Sequence, residues 1–309
     1  MHPGRPTIRN VLSLAAEVCI DKPREGWRKL VVDEEEAQRA DSSRSPGLHG
    51  SPGREEPRES LALVSAATML EATERLVIAT GVAQIHARHP HTARAAQRTL
   101  HESSGGRFLL GLGVSHAPFI EGSRGLPYVR PYQDMVAYLD AMAKAPFTAV
   151  GAADEPPTVL AALGPKMLRL SATAADGAHP YFSPVEHTAT ARDLLGEGPL
   201  LAPEQMVVID TDLDRARATA VRHMTRYLQL PNYANNLRRC GFGEEDLSGP
   251  STRLIDAIVV CGDIEAVVAR VADQHAAGAD HVCIQVLTPS PVDLPMVEWR
   301  GLAEAFGLH

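Results

Sequence analysis

The feature that most constrains the fold of this chain is a regular alternation, from residue 74 onward, of short apolar runs and longer amphipathic segments. The run 74–85 (ERLVIATGVAQI) is apolar at consecutive positions and rich in β-branched residues, which is typical of a strand buried on both faces. The segment 91–106 (HTARAAQRTLHESSGG) carries apolar residues at helical spacing and ends in two glycines, which indicates a helix and its end. Strands that alternate with helices predict βα units around a parallel sheet.

The same pattern predicts the other elements of the sheet. Further strands are expected at 107–114, 157–163, 179–183, 205–212 and 281–287, and further helices at 131–145, 164–177, 185–198, 213–230 and 263–280. About six βα units in a chain of 309 residues favour a closed (β/α)8 TIM barrel over an open doubly wound sheet. The segment 231–250 interrupts the rhythm and is predicted to be an insertion.

The first 58 residues do not follow the alternation. The stretch 39–60 is rich in Arg, Ser, Pro and Gly, a composition that does not bury a core, and 27–40 has room for one short strand and one helical turn. We therefore predict a diverged or disordered N-terminal segment at 1–58, which translation out of frame would also explain, and a barrel domain at 59–309. Two βα units are expected before residue 75, and the sequence does not reveal them.

Net charge and cysteine spacing indicate which classes of partner and which cellular compartment to expect. A formal net charge of -8 argues against binding to nucleic acid or to an anionic membrane surface. The four cysteines are far apart and form no Cys-x-x-Cys motif, which is typical of a reducing compartment. No convincing signal peptide and no apolar stretch of about 18 residues occur, so we expect a soluble cytoplasmic protein.

The segment 111–116 (GLGVSH) is the first candidate site. A dinucleotide fingerprint would need a third small residue where His116 stands, so the glycines more plausibly let another group approach the strand closely. On a barrel this strand end faces the active site, and Ser115 and His116 would point at its mouth. The alternative is that His116 is an ordinary loop histidine.

Two other turns are candidates for ligand contacts. Thr80, Gly81 and Val82 end a strand and would suit a planar ligand, or form only a strand-end turn. The turn from Leu163 through Gly164 and Pro165 to Lys166 opens a helix, whose free N–H groups bind anions, although Pro165 is also simply a good first helical residue. Ser183 is a second candidate anion contact, and His179 is expected to be packed in the core. The candidates for ligand contacts in these segments are Thr80, Gly81, Val82, Leu163, Gly164, Pro165, Lys166 and Ser183.

Three clustered histidines are candidates for a metal site. His86, His89 and His91 lie close together, but zinc sites usually draw on a further group of ligands on an ordered scaffold. We expect them to be loop residues before a helix and predict no metal site. Motifs for a hydrolase nucleophile elbow, a zinc protease or a phosphate-binding loop do not occur in the chain.

Four segments in order carry a resemblance to a known family. The stretches 73–100 and 105–122 resemble the luciferase-like oxidoreductases, and most of all their actinobacterial branch that uses the deazaflavin coenzyme F420. The stretches 157–188 and 262–287 extend the resemblance, which covers residues 54–309. It implies a (β/α)8 barrel that holds a flavin or deazaflavin at the carboxyl ends of its strands, a small-molecule substrate and a homodimer.

The resemblance also implies roles for individual residues. The third barrel strand is expected to end in a bulge, often with a cis peptide that does not involve proline, at Thr80, Gly81, Val82 and Ala83. Contacts to the cofactor are expected from Gly113, Val114 and Ser115, with the glycines admitting its ring and His116 handling a proton. The turn 163–166 would hold the cofactor phosphate. Hydride transfer with F420 is the leading expectation, an FMN-dependent monooxygenase is the alternative, and a catalytically inactive barrel is the third possibility.

Overall fold

The computed structural model describes residues 17–21, 62–152, 154–289 and 294–307. Its strands are β1 (Glu17–Asp21), β2 (Ile78–Ala79), β3 (Ala83–Gln84), β4 (Phe108–Gly113), β5 (Thr158–Leu160), β6 (Gly177–Ala178), β7 (Leu200–Leu201), β8 (Glu204–Ile209), β9 (Val259–Gly262) and β10 (His281–Val286). Its helices are α1 (Ala62–Ala72), α2 (Pro90–Ser103), α3 (Ala117–Arg124), α4 (Pro131–Ala143), α5 (Pro165–Ala174), α6 (Val185–Leu195), α7 (Leu213–Leu228), α8 (Pro231–Arg239), α9 (Glu244–Leu247), α10 (Thr252–Ile258), α11 (Ile264–Ala276) and α12 (Met296–Ala305).

The parallel strands form a curled sheet with helices outside it. β2 and β3 both pair with β4, which is followed by β5, β6 and β7, and β8 pairs with β10 and β9. β7 and β8 form one strand position, because the two residues between them continue the hydrogen-bond ladder. The N–H of Ala202 donates to the carbonyl of Ala178, and the carbonyl of Pro203 accepts from the N–H of Cys283, both at 3.0 Å. With β2 and β3 counted as one position, the described residues thus supply seven parallel strand positions, and the predicted luciferase-like (β/α) barrel class is confirmed.

β1 is the departure from a regular barrel. It pairs with β10 in antiparallel register, with Glu17 opposite Gln285 and Asp21 opposite His281. A regular (β/α)8 barrel places its first strand there in parallel orientation. The sequence analysis gave no strand at 17–21, so this is a correction. The remainder of the predicted segment 1–58, including the region 27–40, lies outside the described residues.

One local prediction was wrong. The segment 179–183 was expected to be a strand, but the strand is Gly177–Ala178, and Pro180 has no N–H with which to continue the ladder. Residues 117–124, for which no element was predicted, form α3, with His116 at its N-cap position. The proposed insertion 231–250 contains the helices α8 and α9.

Alternation along β4 sets the inner wall of the barrel. Phe108, Leu110 and Leu112 are fully buried in the hydrophobic cluster that also contains residues of α1, α2 and α4. Because successive side chains point to opposite faces, the positions between them face the barrel interior. Two of these positions, Gly111 and Gly113, have no side chain, and what fills the space beside them defines the candidate site.

Candidate active site

The strand before β4 is interrupted by a bulge at its carboxyl end. β2 and β3 are separated by Thr80, Gly81 and Val82, and the peptide bond between Gly81 and Val82 is cis, as the family resemblance led us to expect. The Thr80 hydroxyl donates to the carbonyl of Gly111 (2.8 Å) and accepts from its N–H (2.9 Å). The bulge is therefore fastened to β4, and Gly81 is its exposed point.

The two glycines of β4 make room for this bulge. A Cβ atom on Gly111 would lie 1.9 Å from the carbonyl oxygen of Thr80, and one on Gly113 would lie 2.6 Å from Cγ2 of Val82. Neither separation is compatible with a side chain. The close approach expected at these glycines is confirmed, but the group that approaches their Cβ side is the neighbouring bulge rather than a cofactor ring. Ala83 is fully buried in the core, so the backbone at Gly81 is what the bulge offers to a ligand.

His179 faces the bulge from another barrel strand. Its Nδ1 lies 2.7 Å from the carbonyl oxygen of Ala202, and its Nε2 lies 3.6 Å from the position that a Cβ on Gly81 would take. A carbonyl only accepts, so Nδ1 carries the proton of this bond. His179 was expected to be packed, and it is buried, but its second ring nitrogen is directed at the exposed point of the bulge.

His116 stands between two aromatic rings at the end of β4. Its ring centroid is 6.0 Å from that of Phe119 in α3 and 5.4 Å from that of Tyr233 in α8. Burial lowers the pKa of His116 below its ordinary value of 6.5, and a hydrogen bond with the Asn232 side chain opposes this shift. The imidazole is therefore neutral at neutral pH, and residues of the insertion complete its surroundings.

Ser115 is held in an uncommon backbone conformation. Its φ is 60°, in the left-handed region that a residue with a Cβ rarely adopts, and the Tyr128 hydroxyl donates to its carbonyl at 2.8 Å. The Gln84 amide donates to Ser115 Oγ at 2.6 Å. Val114 is half-buried and packs against the core. Sequence reasoning missed Gln84 and Tyr128, because nothing local distinguishes them from a strand residue and a loop residue.

The turn 163–166 and Ser183 form a second group. Gly164 is the N-cap of α5, Pro165 is its first residue and the Lys166 side chain is exposed. His187 Nε2 lies 2.9 Å from the carbonyl oxygen of Leu163, which ties α6 to this turn. Sequence reasoning did not assign His187 to the site.

This second group contains one donor and one acceptor without a hydrogen-bond partner among the described residues. The donor is Ser183 Oγ, and the acceptor is His187 Nδ1, because the neutral His187 ring carries its proton on Nε2, which donates to Leu163. Both atoms are buried. The Arg239 guanidinium lies 3.9 Å from the position of a Cβ on Gly164. A helix N-terminus, a hydroxyl and a guanidinium are the groups that bind phosphate in proteins. The donor set therefore fits an anionic group, and burial lowers the pKa of His187, which keeps the ring neutral beside Arg239.

Aromatic side chains from α7, from α8 and from the loop after β6 pack together beside His116. Their centroids lie 4.9–5.9 Å apart in the pairs formed by Tyr181, Phe182, His223, Tyr227 and Tyr233. The Tyr181 hydroxyl donates to Gln285 Oε1 (3.1 Å) and lies 3.3 Å from His223 Nε2.

Burial keeps the ionisable members of this aromatic group neutral. Desolvation raises the pKa of Tyr181 well above its ordinary value and lowers the pKa of His223 to about 4. Desolvation also raises the pKa of Tyr227 and Tyr233, and the nearby Glu204 adds to both shifts. The group consequently offers hydroxyls and apolar ring faces rather than charge.

The three clustered histidines do not converge. His89 and His91 contact each other edge to face, with centroids 4.9 Å apart, while His86 lies 4.0 Å from Asp134. Within the described ranges there is no group of three or more His, Cys, Asp or Glu side chains that could hold a metal ion. In the same ranges no helix has the length and apolar character needed to cross a membrane.

Solved structures with this fold include deazaflavin and flavin enzymes. Tetrahydromethanopterin reductase from Methanopyrus kandleri, a coenzyme F420-dependent enzyme, superimposes with a TM-score of 0.62 at 18% identity, covering 78% of this chain and 85% of that one. An F420-dependent secondary alcohol dehydrogenase bound to an F420–acetone adduct gives 0.60 at 17% identity, covering 75% and 81%. The oxygenating constituent of 3,6-diketocamphane monooxygenase from Pseudomonas putida, bound to FMN, gives 0.57 at 15% identity, covering 77% and 80%.

Sequence comparison adds a relative and a family. A Mycobacterium tuberculosis protein that carries the name of a coenzyme F420-dependent oxidoreductase is 27% identical over 272 residues, covering 67% of this chain and 78% of its own length. Residues 46–281, most of the chain, match the family described as luciferase-like monooxygenase. The bulge at Gly81, its position at the strand ends and the sequence match agree, and the chain belongs to the luciferase-like monooxygenase family.

Proposed function

We propose that the protein is an F420-dependent oxidoreductase that transfers a hydride between the deazaflavin and a small organic molecule. The relative from Mycobacterium tuberculosis and the two F420-dependent neighbours support this choice within the family. The observation that carries the proposal is that three features lie at the carboxyl ends of the parallel strands: the exposed backbone at Gly81, the neutral imidazole of His116, and the helix N-terminus at Gly164, with the Ser183 hydroxyl also without a partner among the described residues.

The residues of the second group would hold the anionic part of the cofactor. Backbone N–H groups of the turn 163–166, Ser183 Oγ and the Arg239 guanidinium are the donors available to its phosphate. Gly81, Val114 and Ser115 would lie toward its ring, whereas Gly113 makes room for Val82 of the bulge. The cofactor, when bound, supplies the hydride chemistry at its central ring, and the protein supplies orientation, exclusion of water and proton transfer.

His116 would handle the proton that accompanies the hydride. Because its pKa is lowered, the ring is neutral at pH 7 and is ready to accept a proton. Proton acceptance is what oxidation of an alcohol requires, since the hydroxyl proton leaves as the carbon loses its hydride. Among small alcohols, carbonyl compounds and conjugated alkenes, this favours an alcohol as the molecule that is oxidised.

A titration of the purified protein with oxidised F420 and, separately, with FMN tests the proposal. We expect saturable binding of F420, followed through its fluorescence, and much weaker binding of FMN. Oxidation of a panel of primary and secondary alcohols would then be followed through the loss of the deazaflavin's visible absorbance. Binding of neither cofactor would contradict the proposal and favour a catalytically inactive barrel.

The second candidate is an FMN-dependent monooxygenase on the same barrel. The FMN complex of the diketocamphane enzyme constituent shares the fold, and this motivates the alternative. Preference for FMN in the titration, with oxygen consumption in the presence of reduced FMN, would establish it over the first. The homodimer that the family resemblance implies stays a prediction, and light scattering of the eluting protein would measure it.

A further inference from the structure

A chain of hydrogen bonds crosses from α3 to the loop that carries His116. The Arg124 guanidinium donates from Nε to Gln84 Oε1 (3.3 Å), and Gln84 Nε2 lies 2.6 Å from Ser115 Oγ. Gln84 is 5% exposed, and its backbone carbonyl accepts from Arg88 at 3.2 Å. Its side-chain amide is held between Arg124 and Ser115 at the carboxyl end of β3.

The direction of this chain follows from the chemistry of its first member. A guanidinium has donors and no acceptor, so the Gln84 oxygen must face Arg124. The amide group has one oxygen and one NH2, so its NH2 must then face Ser115. Ser115 Oγ is consequently the acceptor of that bond, and its hydroxyl hydrogen is left to point elsewhere.

The remaining hydrogen of Ser115 has no acceptor among the residues that the structure describes. Ser115 is only half-buried, it immediately precedes His116, and its backbone is locked by the Tyr128 hydroxyl at φ 60°. A residue with a Cβ keeps this left-handed conformation only where the surrounding contacts fix it. The orientation of the hydroxyl is therefore set by its neighbours rather than by its own preference.

We propose that Gln84 is a positioning residue, oriented by Arg124, that makes Ser115 a hydrogen-bond donor to an acceptor atom of the ligand beside His116. Ser115 and His116 then have complementary roles, because the hydroxyl donates while the neutral imidazole accepts. In the proposed function Ser115 lies toward the cofactor ring, so the hydroxyl would donate to an acceptor atom of that ring. The inference rests on the proposed function for the identity of the ligand.

A double-mutant cycle in the full chain tests this role, with oxidised F420 as the probe. Gln84→Glu keeps the size of the side chain but replaces its donor by acceptors, which would capture the Ser115 hydrogen and still pair with Arg124. Ser115→Ala removes the hydrogen altogether. We expect either change to weaken binding about tenfold, the size of one well-placed hydrogen bond. We expect the double variant to be no weaker than Ser115→Ala alone.

The cycle separates this role from repulsion between charges. If Gln84→Glu acted only by repelling an anionic cofactor, its effect would persist in the Ser115→Ala background, and the inference would be overturned. Unchanged binding by Gln84→Glu would overturn it as well. Thermal unfolding of each variant checks that the losses do not come from misfolding, and Gln84→Met serves as a second variant that removes the amide without adding charge.

A measurement without cofactor keeps this inference distinct from the proposed function. The side-chain amide of Gln84 can be observed by NMR in glutamine-labelled protein and assigned from its absence in Gln84→Met. Ser115→Ala should move this amide signal, since it removes the acceptor, and an unmoved signal would overturn the hydrogen-bond direction. If wild-type protein binds no F420, the proposed function and the ligand assignment fail together, while this signal still decides whether Gln84 donates to Ser115.

Discussion

On the side of the barrel mouth formed by β3 and β4, polar side chains are joined in a directed chain that ends in one available hydroxyl hydrogen at Ser115. On the side formed by α7, α8 and the loop after β6, hydroxyl groups are buried among rings and hydrogen-bonded to protein groups, as Tyr181 is to Gln285. The first side is arranged to donate to a ligand, and the second to exclude water and present apolar surface. His116 touches both, through its neighbour Ser115 and through Tyr233.

Replacing His116 removes the residue that joins the two sides and should have the largest effect. General acid–base catalysis contributes about 10²–10⁴-fold to a rate, so His116→Ala should lower the rate of hydride transfer by about that factor. Binding of F420 should change little, because the histidine acts on the proton of the substrate. His91→Ala is the matched control, since His91 is exposed and lies outside the site. A rate for His116→Ala within about twofold of wild type would assign proton transfer to another group.

Gly111→Ala should disrupt the first side at its base. The new Cβ would lie 1.9 Å from the Thr80 carbonyl oxygen, which is backbone and has little freedom to move. We expect a loss of about 3 kcal/mol in the free energy of unfolding, at the upper end for overpacked sites. Chemical denaturation measures it. Gly122→Ala is the control, because a Cβ there meets no atom within 4 Å and alanine favours its helix. Equal stability of both variants would mean that the bulge moves freely.

The sequence predicts more of the site on the first side of the barrel mouth than on the aromatic side. The alternation of strands and helices fixes which segments bring Thr80, Ser115 and Gly164 to the same end of a barrel. Local spacing does not predict that Gln84 meets Ser115, because the two residues are 31 positions apart and pair through the register of β3 and β4. The cis peptide was predictable only through the family resemblance.

The aromatic side was missed altogether by sequence reasoning. Tyr227 and Tyr233 lie on α7 and α8, and their periodic spacing resembles that of any amphipathic helix. The segment 231–250 was treated as an insertion without a role, yet α8 brings Tyr233 and Asn232 to His116. A strand such as β1, with antiparallel pairing to β10, was also beyond reach, because five residues carry no signal for direction.

Tyr181→Phe tests the closed network of the aromatic side. The change removes the hydroxyl that lies between Gln285 and His223 and leaves both without this partner. Leaving a buried polar group unsatisfied costs about 1–3 kcal/mol, so we expect a stability loss of that size with the fold retained. Tyr132→Phe is the control, since no hydrogen bond from that hydroxyl occurs among the described residues. A stability loss no larger than that of the control would mean that a water molecule takes the place of the phenol hydroxyl, and that water reaches this side of the barrel mouth.

Asn232 offers the smallest and most selective test, because it acts on His116 from the aromatic side without supplying a reacting group. Its hydrogen bond raises the pKa of His116 against the lowering by burial. Asn232→Leu should therefore lower that pKa further, and Asn232→Asp should raise it by adding a negative charge. Alcohol oxidation needs the neutral imidazole, so its rate falls as the pH drops through the pKa, and this acid limb should move down in the first variant and up in the second. The imidazole proton signals in NMR report the same shift without cofactor.

Asn235→Asp is the control, because it adds a charge to the exposed face of the same helix and should leave the acid limb in place. If Asn235→Asp moved the acid limb as far as Asn232→Asp does, the effect would be long-range charge, and the insertion would have no specific part in setting the protonation of His116.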